Sequence, residues 1–127
     1  MENIIPKNIV ECIAVLEATV PSEIVEKFIG TDETSVYEFH HTIGRQLRNN
    51  WGLWQNSPLS QWFFSIGVYH ADDMSGIIFT TFHRYINKRQ IDLAGQVVYY
   101  ENYWKNSLGE EGYEKMKSDI LAAYSKK

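Results

Sequence analysis

Four histidines and one pair of adjacent aspartates are the side chains of this chain best suited to hold a metal ion or move a proton: His40, His41, His70, His83, Asp72 and Asp73. Asp72 and His83 stand eleven residues apart, about three helical turns, so they share one helix face, with His70 just ahead of that helix. On paper this spacing allows a His-Asp-His metal set. The i, i+4 histidine pair of a zinc-binding helix is missing, however, as is any His-Glu-x-x-His run. We therefore expect no metal and no cofactor. Nucleophilic chemistry has no better footing. Cys12 lies in an apolar stripe without a basic neighbour to lower its pKa. No serine occupies a Gly-x-Ser-x-Gly elbow, and no glycine-rich loop opens a helix toward a phosphate. The acid pairs Asp72-Asp73 and Glu110-Glu111 suit helix N-termini, where the helix dipole favours negative charge. No catalytic residue is expected from local motifs, and an acid–base pair assembled from distant residues stays open.

The densest polar-aromatic stretch is Arg45-Gln46-Leu47-Arg48-Asn49-Asn50-Trp51-Gly52-Leu53-Trp54. Tyr37, His41, Gly44 and Arg48 follow helical spacing just upstream and form a polar stripe. With Arg45 and Trp51 they would make a surface of arginine and aromatic side chains, the usual anchors of protein interfaces. Tyr37, His41, Arg45, Arg48 and Trp51 are thus the candidate binding residues. Asn49, Asn50, Trp54, His70, Asp72 and Asp73 are expected to form a structural junction. In the competing reading Arg48 or Arg45 is spent on an internal ion pair with Asp72 or Asp73.

The elements that must position these residues follow from periodicity. After a short tail over residues 1–7, Asn8 with Glu11 resembles a capping box ahead of the apolar stripe Ile9, Cys12, Ile13 and Leu16. Ser22 opens a short helix that Gly30 ends. A third helix carries Val36, Phe39, Ile43 and Leu47 and stops at Asn49-Asn50, since asparagine tolerates the left-handed conformation. Gly52 then reverses the chain, flanked by Trp51 and Trp54, which are expected to pin the turn to the core. Ser57-Pro58 reads as N-cap and first helical position of a fourth helix, which Gly67 closes. The fifth helix, near 72–86, has Met74, Ile77, Ile78, Phe79, Phe82, Tyr85 and Ile86 around most of its circumference, which predicts a central position. Its one polar stripe is Asp73, Gly76, Thr80, Arg84 and Asn87, with His83 at a half-buried core edge. Asp92 can cap a sixth helix through Trp104, Asn106 to Gly109 breaks it, and a last helix carries Tyr113, Met116, Ile120 and Tyr124. The expectation is an all-α fold: one domain over 1–127, with its core over 8–125, built as a bundle of six or seven short helices.

Composition bounds the function. The 127 residues fit one domain, and 44% hydrophobic with 22% charged residues is ordinary for a globular chain. A net charge of −4 argues against a general nucleic-acid binder. A lone cysteine forms no internal disulfide, no signal peptide is evident, and no run approaches the roughly 20 apolar residues of a membrane span. A cytoplasmic protein without a membrane role is expected. Oligomeric state is not legible.

Three runs carry a resemblance: Arg48-Asn49-Asn50-Trp51-Gly52-Leu53-Trp54, His70-Ala71-Asp72-Asp73-Met74-Ser75 and His83-Arg84-Tyr85. Together they resemble a small bacterial domain family of unknown function, in which Arg-Asn-Asn-Trp-Gly-Leu-Trp precedes His-Pro-Asp-Asp-Met-Ser. The resemblance spans Glu33 to Trp104. Ala71 stands where that pattern more often has proline, and alanine also suits a first helical turn. The resemblance implies a bacterial, cytoplasmic protein and no particular activity or substrate.

Two functions follow as expectations. The first is a non-catalytic protein-binding domain, of the immunity- or antitoxin-like kind, with another protein as partner. The second is a small-ligand binder or enzyme built where Arg48, Asn49, Asn50, His70, Asp72 and Asp73 converge. A deep pocket among those residues favours the second, and a flat aromatic surface favours the first.

Overall fold

The apolar fifth helix of the sequence is the element on which the others pack. In a computed structural model that describes residues 5–32, 36 and 43–125, six helices are present and no strand is found among the described residues. They are α1 (Ile9–Thr19), α2 (Ser22–Phe28), α3 (Gly44–Asn50), α4 (Pro58–Ser65), α5 (Ala71–Ile86) and α6 (Leu93–Ser125). Every extensive contact between described helices involves α5. Met74, Ile77, Ile78, Phe79 and Phe82 on α5 are buried among Phe28, Leu53, Leu59 and Phe63.

Local signals start and stop these helices. Asn8 Oδ1 accepts from Glu11 N–H at 2.9 Å, but Glu11 Oε1 accepts from Lys7 N–H rather than from Asn8, so the box is shifted by one residue. Pro6 is fully buried, so packing begins before Asn8, within the expected tail. Ser57 and Ser60 bond reciprocally at the start of α4, with Pro58 at the first helical position. Asp92 Oδ1 accepts from Gly95 N–H at 3.1 Å at the start of α6. Gly109, with φ 77 and ψ 170, breaks α6 into two halves, at the place the sequence marks as an interruption.

Three expectations change. Trp51 is buried (9% exposed) and does hold the turn to the core, whereas Trp54 is half exposed. The turn itself runs through Gly52 at φ +70, which leaves only one of its two tryptophans facing inward. His83 is fully buried instead of half-buried: the C-terminal end of α2 covers the last turn of α5. There Thr31 Oγ1 lies 3.2 Å from His83 Nε2, and Asn87 ties Gly30 N–H and the Phe28 carbonyl. Finally, of the polar stripe of the third helix only Gly44 and Arg48 are described, and they turn inward: Gly44 is buried and Arg48 reaches to α5.

Candidate functional site

The site grows from the first turn of α5. His70 is its N-cap, and His70 Nδ1 accepts from Asp72 N–H at 3.1 Å. An accepting Nδ1 leaves the proton of the neutral ring on Nε2. Burial lowers the His70 pKa, Asp72 opposes that, and Arg48 adds to it. Arg48 comes from the last turn of α3. Its Nε sits 3.3 Å from Asp72 Oδ1, and its Nη1 donates to Ser75 Oγ at 3.0 Å, which in turn donates to the Asp72 carbonyl at 3.1 Å. The arginine is 13% exposed and its carboxylate partner 50%.

Asp73 turns away from that pair, one residue further round the helix. It is buried, and its Oδ2 accepts from Trp104 Nε1 at 2.6 Å. Burial pushes its carboxyl up to about 7; Asp72 adds to the rise, and the Trp104 hydrogen bond works against it.

Above these polar contacts lies a row of rings. Trp54 meets His70 edge to face at 5.7 Å. His70 stacks on Trp104 at 5.4 Å, with 26° between the planes. Tyr103 abuts Trp104 edge to face at 5.1 Å. Trp54 is 50% exposed and Tyr103 51%, so the row is a ridge with two open ends rather than a core cluster.

A cavity beside Asp73, bounded by Val68, Tyr69, Tyr100, Trp104 and Tyr113 among others, is about 10 Å³, near the minimum for one water molecule. Arg48, Asn49, Asn50 and Asp72 do not border it. Among the described residues no three His, Cys, Asp or Glu side chains gather as a metal-binding group. Burial also pushes the Cys12 thiol well up, as suits an inert core cysteine.

The structure therefore brings together Arg48, Trp54, His70, Asp72 and Asp73. Asn49 and Asn50 are exposed at the end of α3, with the Asn49 carbonyl accepting from Gly52 N–H at 3.4 Å. Arg45 is exposed and Trp51 belongs to the core. Tyr37 and His41 lie outside the described residues. The sequence alone does not mark Trp104, Tyr103 or Ser75 as site residues. The one signal for Trp104 was chemical: a buried indole N–H needs an acceptor, and Asp73 on the polar stripe is one.

A family model described as a domain of unknown function (DUF6794) matches residues 5–86. That range contains both tryptophan and aspartate runs, starting earlier and ending earlier than the resemblance from Glu33 to Trp104. Neither a curated protein nor a solved structure matches the chain.

Proposed function

The chain belongs to the family described as a domain of unknown function (DUF6794), and on that footing we propose that it is a non-catalytic protein-binding domain whose contact surface is the ridge Trp54, His70, Trp104 and Tyr103. The observation that supports this most is the half-exposure of Trp54 and Tyr103 at the two ends of a row of mutually packed rings. Large aromatic side chains held in place before binding lose little freedom on contact, and they dominate interface hot spots. Trp54 and Tyr103 replace Trp51 as anchors, because Trp51 already spends its surface on the core. Half-exposed Asp72 lies at the rim, and with the net charge of −4 it favours a partner with a basic surface. An immunity- or antitoxin-like role in the bacterial cytoplasm suits a small acidic domain of this kind. Beside Asp73 the cavity is only about 10 Å³, which gives no support there to the alternative of a ligand or catalytic site.

The test is affinity capture from a bacterial host lysate with the wild type and with Trp54→Ala plus Tyr103→Ala, after circular dichroism confirms that the variant folds. Wild type should retain a specific protein that the variant loses, each anchor being worth about 2 kcal/mol or more. Equal capture by both would remove the ridge from consideration. A wild type that retains no protein would reject the binding role.

A further inference from the structure

The polar stripe of α5 has a lower half that the ridge does not use. Asp73 is covered by Trp104, and at Gly76 the Tyr100 ring lies against the helix, where a Cβ would strike its hydroxyl. Past Tyr100, a cavity of about 400 Å³ lies between α5 and the first half of α6. Thr80 and Arg84 of α5 line one side; Asp92, Gln96, Tyr99 and Tyr100 line the other. This volume lies within the range of small-molecule sites, about 300–1,000 Å³.

The walls are held in place. Gln96 is 7% exposed, and its Nε2 donates to Thr81 Oγ1 at 3.2 Å and to the Ile91 carbonyl at 3.0 Å. Arg84 Nη1 donates to the same carbonyl at 2.6 Å. Asp92 is fixed by its cap to Gly95, and a Cβ at Gly95 would collide with the Asp92 carboxylate, so glycine keeps that wall open. Tyr99 and Tyr100 meet edge to face at 5.1 Å and 86°, which presents two rings at right angles. Tyr100 stays protonated as a donor, since burial pushes its pKa up to about 12.

The lining chemistry selects a ligand class. One guanidinium and one carboxylate balance each other, so a strongly charged ligand would meet a like charge as well as an opposite one. Donors and acceptors are mixed: Arg84 donates, Asp92 accepts, and the Thr80 and tyrosine hydroxyls do both. Each hydroxyl of a sugar or cyclic polyol also donates and accepts, and its C–H face is apolar enough to lie on a tyrosine ring. We propose that the cleft between α5 and the first half of α6 binds a neutral, pyranose-sized polyol. The proposal is independent of the protein-binding ridge, which lies at the other end of the stripe.

The experiment is a ¹H–¹⁵N NMR titration of the full chain with glucose, galactose, N-acetylglucosamine and inositol, with glycine, glutamate and inorganic phosphate as separate arms. At least one of the four polyols should shift the Thr80, Gly95, Gln96 and Tyr99 amides saturably, leaving the Trp54 indole signal in place. Tyr99→Ala, at a side chain 65% exposed and so outside the core, should weaken that binding about tenfold, and Thr80→Val should weaken it too. The ridge variant Trp54→Ala plus Tyr103→Ala should bind as wild type does. The proposal is overturned if none of the four polyols gives a saturable shift at these amides. It is also overturned if only the amino acids or phosphate do so, or if polyol binding is unaffected by both cleft variants.

Discussion

Asp73 and His70 sit three residues apart and pull the pH dependence of folding in opposite directions. The Asp73 carboxyl, 3.8 in its ordinary state, is pushed up to about 7 by burial. Between these values the folded chain keeps a proton that the unfolded chain has released, so this group makes stability fall as pH rises from 4 to 7. His70 is lowered from 6.5, again by burial, so its contribution is present above 6.5 and is lost as pH falls through its folded value. Asp73→Asn keeps an oxygen for Trp104 Nε1 and removes the first effect alone. Urea unfolding across pH 4–8 should show the variant gaining stability toward neutral pH, and exceeding wild type at pH 8 by about 1–3 kcal/mol. A variant whose profile parallels that of wild type would refute the assignment. The Arg48–Asp72 pair is a weaker contributor than a fully buried pair, because Asp72 is half exposed and water screens it. Arg48→Ala should cost about 1–2 kcal/mol in urea unfolding, much of it through the lost bond to Ser75.

At the scale of elements, α5 is the helix whose side chains have nowhere else to go. Ile78 and Phe82 are buried to 0% and 2% exposure, and truncating either to alanine should cost about 2–5 kcal/mol by leaving a cavity, measured by the same unfolding. Gly76 sets two effects against each other. Alanine gains about 1 kcal/mol of helix propensity over glycine, yet its Cβ would strike the Tyr100 hydroxyl. Close packing should win: Gly76→Ala is expected to destabilise by about 1–3 kcal/mol, and to perturb the Tyr100 ring signals in NMR. A stabilised Gly76→Ala variant would show that α6 can withdraw from α5 at little cost.

For the whole molecule, the family match stops at residue 86, yet α6, which lies beyond it, packs on α5. Trp104 caps Asp73, Gln96 bonds Thr81, and Tyr124 donates to the Leu53 carbonyl at 2.5 Å across 71 residues. Without α6, the polar stripe of α5 and the turn at Leu53 would lose their cover. A fragment ending at Ile86 should therefore lack the dispersed NMR spectrum and cooperative unfolding of the full chain. Cooperative folding of that fragment would show that α6 is an addition to a complete unit. Among the described residues, no helix is long and apolar enough to cross a membrane.

Much of this architecture was legible because helix signals are local. Asn8, Ser57 and Asp92 cap within three residues, Gly109 breaks α6 where the polar run ends, and the apolar circumference of α5 identifies it as the centre. The site was legible only in part. That Arg48 rather than Arg45 turns toward Asp72 depends on the rotation of α3 against α5, which periodicity alone leaves open. By itself the sequence determined an all-α chain, its central helix, and a polar-aromatic junction at the two motif runs. Only the tertiary structure decided that Trp51 is core while Trp54 is surface, and that Asp73 belongs to Trp104, 31 residues away. The reason is physical: capping and periodicity act within a turn or two of helix. Burial and long-range hydrogen bonds depend on which distant side chain arrives to exclude water.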